Sequence, residues 1–157
     1  MFTKTEIKLA PKIIEVIKKI AKTQGKEWEW KPEIGDLFLI GREMGIVVDE
    51  DWMNPYTFEG RCIFPEEKKG ITNILYIRDV IPLLHWEKLE EILESVGYFL
   101  EVEKLSHKNC ECLILKGMDD PETECIAVGS GKTRQEAVMR AVIALGNKIS
   151  LVNENGN

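Results

Sequence analysis

The feature that most constrains the fold is a change of hydrophobic period between residues 85 and 145. Apolar residues first recur at spacings of three and four, then alternate with polar residues in three short stretches, and then return to the first spacing. Spacings of three and four are typical of an amphipathic helix, and alternation is typical of a half-buried strand. The pattern predicts a helix, three antiparallel strands and a second helix, which is an α+β unit.

Both helices of this unit have recognisable ends. Gly97 follows the apolar stripe of the first helix, and glycine commonly ends a helix. Thr133 and Glu136 form a capping box for the second helix, in which the hydroxyl and the carboxylate accept hydrogen bonds from free backbone N–H groups. The predicted elements are a helix from Trp86 to Gly97, strands at Tyr98 to Leu105, Glu111 to Lys116 and Glu124 to Val128, and a helix that ends at Gly146.

Residues 1–83 carry signals for one helix and a small β-rich segment. Pro11 suits the first turn of a helix whose isoleucines repeat at helical spacing until Gly25. We therefore predict an N-terminal helix plus β-rich segment over residues 1–83, an α-β-β-β-α sandwich over residues 84–146, and a partly disordered tail over residues 147–157. The strand-like stretches of the first segment are Lys26 to Trp30, Leu37 to Ile40 in a hairpin with Ile46 to Val48, Arg61 to Phe64, Ile71 to Ile77, and the buried extended run Val80 to Leu84.

The net charge of −6 is concentrated in the predicted sandwich. Residues 1–83 contribute −1, residues 84–146 contribute −5 and the tail contributes 0. A nucleic-acid interface needs a basic face, so this distribution disfavours nucleic acid and favours a protein partner with an electropositive surface. No apolar run reaches the roughly 20 residues of a membrane helix. Charged residues also stand where a secretory signal has its apolar core, so we expect a cytoplasmic protein without membrane contact.

The run Gly131-Lys132-Thr133 is similar to the end of a phosphate-binding P-loop. That loop requires a glycine five residues before Gly131, and Ile126 stands there. We therefore interpret Gly129 to Gly131 as a flexible turn into a capped helix.

Three cysteines and a histidine are weak candidates for a metal site: Cys110, Cys112, Cys125 and His107. Structural zinc sites usually separate paired cysteines by two to four residues on a turn, whereas Cys110 and Cys112 share one face of a strand. Buried thiols are the favoured interpretation, and we expect no metal or other cofactor. His85 and His107 are the candidates for a general base near neutral pH, but no nucleophile motif accompanies them, so no catalytic residue is assigned.

The polar side of the first sandwich helix consists of glutamates. A charge run on a helix is usually its solvated side, and the alternative is a docking surface for a protein partner. The candidate docking residues are Glu87, Glu90, Glu91 and Glu94.

The element order and the run around Thr133 resemble the end of a double-stranded-RNA-binding domain. The run is Gly129-x-Gly131-x-Thr133-Arg134-x-x-Ala137-x-x-x-Ala141-x-x-Ala144-Leu145. In that family the glycine turn and the basic start of the last helix hold phosphates, which assigns Lys132 and Arg134 here, and Arg140 is a third candidate. The sequence departs from the family because Gln135 and Val138 replace lysines and because the first helix is rich in glutamate.

Most of the chain is similar to the phage-encoded "ABA sandwich" domain family. The similarity lies in Trp86-x-x-Leu89-x-x-Ile92-Leu93-x-x-x-Gly97-Tyr98, in Gly131 to Ala141, in Trp28-x-Trp30-x-Pro32-x-x-Gly35-Asp36, and in Ile81 to Leu84. The family carries no established activity, so the resemblance implies a viral or prophage accessory protein in the cytoplasm of a bacterial host.

These observations lead to one functional hypothesis and two alternatives. The hypothesis is a non-enzymatic phage or prophage protein that binds a protein partner. The first alternative is a double-stranded nucleic-acid-binding protein that uses Lys132, Arg134 and Arg140. The second is a metal-binding or enzymatic protein that uses the cysteine and histidine cluster. The oligomeric state is left open.

Overall fold

The structure is a computed structural model that describes residues 2–41, 43–47, 51–54, 57–63, 70–76, 80–117 and 123–155. These ranges form helices and two antiparallel sheets, which confirms the predicted α+β class. The helices are α1 (Lys4–Thr23), α2 (Trp86–Glu94) and α3 (Arg134–Asn155). The strands are β1 (Leu37–Ile40), β2 (Glu43–Val47), β3 (Asp51–Asn54), β4 (Thr57–Ile63), β5 (Gly70–Tyr76), β6 (Ile81–Leu83), β7 (Tyr98–Ser106), β8 (Asn109–Lys116) and β9 (Glu124–Gly131).

The chain forms two compact units, and one of them is discontinuous in sequence. Unit 1 contains Met1–Trp28 and His85–Asn157, and unit 2 contains Glu29–Leu84. This division differs from the predicted boundaries at residues 83 and 146. The helix α1 belongs to unit 1 because its apolar stripe packs on α3. The buried stripe consists of Ala10, Ile13, Ile14, Val16, Ile17 and Ile20.

The N-terminal helix begins seven residues earlier than the position of Pro11 indicated. Thr3 caps it: the Thr3 hydroxyl accepts from the backbone N–H of Glu6 (3.2 Å), and the Glu6 carboxylate accepts from the backbone N–H of Thr3 (3.1 Å). Pro11 lies inside the helix, where a proline lacks the N–H for one helical hydrogen bond. The capping box at residues 3 to 6 therefore sets the start of α1.

The core of unit 1 is a three-stranded sheet in the order β7-β8-β9, covered by α3. Cys110, Cys112 and Ile114 alternate as the buried residues of β8. On α3 the predicted buried side is confirmed. Its members are Ala137, Val138, Ala141, Val142 and Leu145.

Gly129, which the sequence analysis assigned to a turn, and Gly146, which it assigned to a helix end, instead permit close packing of helix α3. Gly129 lies within strand β9, and a Cβ there would clash with the α3 backbone at Ala137 and Ala141. Gly146 lies inside α3, where a Cβ would approach the Val16 side chain of α1 to 2.5 Å. The flexible glycine turn and the helix end at residue 146 were therefore wrong. The predicted tail is also helical as far as Asn155.

Unit 2 is a small sheet with the strand order β3-β4-β2-β1-β6, and β5 pairs with β4. The β1–β2 hairpin is confirmed by the register Leu37↔Ile46, and β6 forms within the predicted extended run. The predicted strand from Lys26 to Trp30 was wrong, since these residues are irregular. Instead the Trp30 indole N–H donates to the Asp36 carboxylate (3.2 Å). Parts of the predicted strands, at Val48, Phe64 and Ile77, lie outside the described residues.

No helix in the described ranges has an apolar stretch long enough to cross a membrane.

Candidate anion-binding site

A cavity of about 460 Å³ lies in unit 1 where its helices begin. The N-terminal ends of α1, α2 and α3 and the β7–β8 hairpin supply its walls. Small-molecule sites occupy about 300 to 1,000 Å³, so the cavity is large enough for one small ligand. Its lining residues are Phe2, Glu6, His85, Trp86, Lys104, His107, Cys110, Lys132, Thr133, Arg134 and Gln135.

Three cations line this cavity. Lys132 and Arg134 flank the N-cap of α3, and Lys104 comes from β7. The strand register aligns Lys104 with Cys110, and Cys110 with Gly131, so β7, β8 and the end of β9 bring the cations to one end of the sheet. None of the three cations forms an ion pair with a residue that the structure describes. Their charges are therefore available to a ligand.

Glu6 is the acidic residue of the lining, and hydrogen bonds hold both of its oxygens. Its side chain is 2% exposed. Oε1 accepts from the Thr3 backbone N–H, and Oε2 accepts from the Thr133 hydroxyl (2.7 Å). Glu6 therefore joins the start of α1 to the start of α3. Three cations and one carboxylate leave the lining with a net formal charge of +2 when its two histidines are neutral.

The first turn of α3 confirms one half of the predicted capping box and corrects the other. The backbone N–H of Glu136 donates to the Thr133 hydroxyl (3.0 Å). The Glu136 carboxylate, however, accepts from the backbone N–H of Lys132 (2.6 Å). This bond fixes the backbone of Lys132 just before the N-terminal end of α3. Helix N-termini also favour anions, because their backbone dipoles point the positive end outward.

The start of α2 adds aromatic side chains to the cavity. His85 is the N-cap residue of α2 and makes no side-chain cap hydrogen bond. Its ring packs on the buried ring of Phe2, with centroids 5.0 Å apart and planes tilted by 39°. The backbone N–H of Trp86 donates to the Gln135 side-chain oxygen (2.7 Å), which ties this aromatic group to the first turn of α3.

The charge of unit 1 is closer to neutral than the sequence analysis indicated. Residues 1–28 hold seven basic and three acidic side chains, and residues 85–157 hold eight basic and thirteen acidic ones. Because α1 packs in this unit, its net formal charge is −1, compared with −5 for residues 84–146 alone. The net charge of unit 1 therefore disfavours an anionic ligand much less than the charge of residues 84–146 alone indicated.

The three residues predicted to contact nucleic acid separate into two groups. Lys132 and Arg134 line the cavity. Arg140 is outside the lining, and its guanidinium pairs with the Glu136 carboxylate at 3.6 Å. In the cavity lining, Lys132 and Arg134 are joined by Lys104 and the two histidines.

The weak metal candidates do not form a metal centre. Cys110 and Cys112 are buried, Cys125 is exposed on β9, and His107 lies in the β7–β8 turn. Among the residues that the structure describes, no group of three or more histidine, cysteine, aspartate or glutamate side chains is placed to hold a metal ion.

Burial raises the pKa of the Cys112 thiol to about 12, and the nearby Glu90 and Cys125 add to the shift. A thiol with a raised pKa is a poor nucleophile near neutral pH, because the thiolate is the reactive form. Cys112 is therefore a core side chain.

The α2 glutamates form a like-charged surface. Partial burial raises the pKa of Glu90, and the charges of Glu94 and Glu87 raise it further. Glu91 lies 3.5 Å from the Lys88 ammonium, and both side chains are exposed. Docking of a protein partner on these glutamates stays a prediction.

Sequence reasoning missed Phe2, Glu6, Trp86 and Lys104 as members of the site. Thr3 and Glu6 form a capping box that is legible in the sequence, and a capping box marks where a helix begins. The sequence contains no comparable sign that three helix starts meet in space.

No protein-family model matches the chain, and no curated protein or solved structure is significantly similar to it.

Proposed function

We propose that this is a phage or prophage accessory protein that acts by binding, and that the cavity of unit 1 holds an anionic group of phosphate type. The phage origin rests on the sequence resemblance. The binding site rests on one observation: Lys104, Lys132 and Arg134 line a single cavity without ion-pair partners in the described chain. Cations that meet at helix N-termini are a common arrangement for phosphate recognition.

The concave shape of the site favours a small anion over a nucleic-acid duplex. A duplex presents phosphates along an extended backbone and needs an extended row of cations. Here the cations surround one cavity, and Arg140, the next candidate along α3, is paired with Glu136. The site therefore fits a single phosphate group.

Titration of the full chain with inorganic phosphate, followed by backbone amide NMR, tests the proposal. We expect shifts concentrated at the amides of residues 132–136 and 85–88, with saturation at millimolar phosphate. A hydrogen bond to a charged group contributes about 1.5 to 3 kcal/mol, so the double variant Lys132→Glu/Arg134→Glu should weaken binding at least tenfold.

The control variant is Lys18→Glu/Lys26→Glu, which makes the same change of net charge at exposed positions outside the cavity. It should bind phosphate as the original chain does. Equal weakening in both double variants would show a nonspecific charge effect and contradict the site. Tighter binding of duplex RNA than of phosphate, lost in Lys132→Glu/Arg134→Glu, would favour the nucleic-acid alternative instead.

A further inference from the structure

The aromatic side chains of the cavity carry information about the ligand beyond its charge. Phe2, His85 and Trp86 come from the starts of α1 and α2, whereas the three cations come from the hairpin and the start of α3. The lining of the cavity thus combines aromatic residues with cationic ones. A simple inorganic anion would contact only the cationic residues.

A ring contact and a backbone hydrogen bond hold the start of α2, which carries His85 and Trp86. The buried Phe2 ring, 5% exposed, supports the exposed ring of His85 at a centroid distance of 5.0 Å. Trp86 is half-buried, and its backbone is anchored to the Gln135 side chain. Because the His85 ring packs on Phe2 and the backbone at the start of α2 is hydrogen-bonded to Gln135, a stacked ligand would lose little free energy to ordering this segment.

We propose that the cavity binds a mononucleotide, with the phosphate held by Lys104, Lys132 and Arg134 and the base stacked on His85 and Trp86. This inference rests on the proposed anion site. Every nucleobase has a π-face that stacks on aromatic side chains, so the arrangement selects for a base in general. The volume of about 460 Å³ suits one such ligand.

Calorimetric titration of the full chain with four compounds tests the assignment: adenosine 5′-monophosphate, cytidine 5′-monophosphate, ribose 5-phosphate and adenosine. Both nucleotides should bind about tenfold more tightly than ribose 5-phosphate, because stacking adds to the phosphate contacts. Adenosine, which lacks the phosphate, should bind more weakly than either nucleotide.

A matched pair of variants isolates stacking from folding. Trp86→Leu keeps an apolar side chain and removes the aromatic face, and Trp86→Phe keeps an aromatic ring. Trp86→Leu should lower nucleotide affinity towards that of ribose 5-phosphate, with stacking on His85 retained, and should leave ribose 5-phosphate binding unchanged. Trp86→Phe should retain most of the nucleotide affinity.

The outcomes separate this inference from the proposed function. Equal affinity for ribose 5-phosphate and the nucleotides would overturn the base contact and leave the phosphate site intact. Tighter binding of a phosphotyrosine amide than of either nucleotide would overturn the mononucleotide and point to a phosphorylated protein. Absence of binding by all phosphate compounds would overturn both proposals.

Discussion

At the scale of single residues, ionisation of Cys112 makes the stability of unit 1 depend on pH in the alkaline range. The side chain is 0% exposed on β8, and burial is the largest cause of its raised pKa. The folded state therefore favours the neutral thiol more strongly than the unfolded state does. A group with a raised folded-state pKa contributes stability below its unfolded pKa, and this contribution disappears as the pH rises towards the folded value.

We predict that the free energy of unfolding falls between pH 9 and pH 12 because of Cys112, whose pKa rises from 9.0 to about 12 on folding. From about pH 8 to about pH 10.5 the loss attributable to this thiol should be about 2 kcal/mol. Urea unfolding at both pH values measures the loss. The variant Cys112→Ala should lack it, and an equal pH dependence in both proteins would contradict the assignment.

The hydrogen bond between Glu6 and Thr133 connects the start of α1 to the start of α3. The pair is separated by 127 positions in sequence and joined by a 2.7 Å hydrogen bond. Glu6 is buried, so removing the Thr133 hydroxyl leaves one oxygen of a buried carboxylate without this partner, which costs more than the net value of the bond. The same contact that stabilises unit 1 thus keeps two helix starts at the cavity.

At the scale of elements, strand β9 and helix α3 approach closely at Gly129. A Cβ at this position would clash with the α3 backbone near Ala137 and Ala141, which cannot move as a flexible side chain can. Alanine usually suits a strand better than glycine does, by about 0.5 to 1 kcal/mol. The packing therefore predicts that Gly129→Ala destabilises the protein, whereas the intrinsic strand preference predicts that it stabilises the protein.

We predict that Gly129→Ala destabilises the protein by about 3 kcal/mol, because overpacking against a rigid backbone outweighs the strand preference. The control is Ser130→Ala at the next, exposed position of β9, where a change within about 0.5 kcal/mol is expected. Chemical denaturation of both variants gives the comparison. A stabilised Gly129→Ala would show that α3 does not pack on this strand as described.

The elements also show what the sequence could and could not predict. The periods of α2, β8 and α3 identified these elements because each buries one face against a neighbour. Pro11 and Gly146 were misread because each residue type has two uses. Proline suits a first turn but is also accommodated within α1, and glycine ends helices but also permits the contact with Val16. Period and composition do not distinguish these uses.

The cavity could be predicted only in part. Lys132 and Arg134 were identified through the resemblance to double-stranded-RNA-binding domains, and His85 and His107 because of their chemistry. Phe2 and Lys104 had no such signal, since their importance comes from the packing of α1 and the register of β7. A site assembled from four distant segments leaves no local pattern in a single sequence.

At the scale of the whole molecule, unit 1 depends on a helix that the sequence places before unit 2. The buried stripe of α1 includes five large apolar residues. Burial of such a side chain contributes about 1.5 to 3 kcal/mol, so the stripe contributes on the order of 10 kcal/mol, which is comparable to the total stability of a small domain.

We predict that a fragment of residues 80–157 fails to unfold cooperatively, because it lacks α1 and exposes the facing side of α3. Addition of a peptide of residues 1–28 should restore cooperative thermal unfolding, monitored by circular dichroism. The control peptide carries Ile13→Asp and Ile17→Asp and should not restore it. Cooperative unfolding of the fragment alone, at the stability of the full chain, would contradict the dependence on α1.

The discontinuity of unit 1 has a consequence for biosynthesis. Thr23 ends α1, and Arg134 begins the helix on which α1 packs. At about 5 to 20 residues per second, translation separates the two by roughly five to twenty seconds. During that interval the isoleucines of α1 have left the ribosome without their final partner, and unit 2 has been synthesised in full. The apolar stripe of α1 therefore stays without its packing partner during this interval, and the cavity is completed only when α3 has been synthesised.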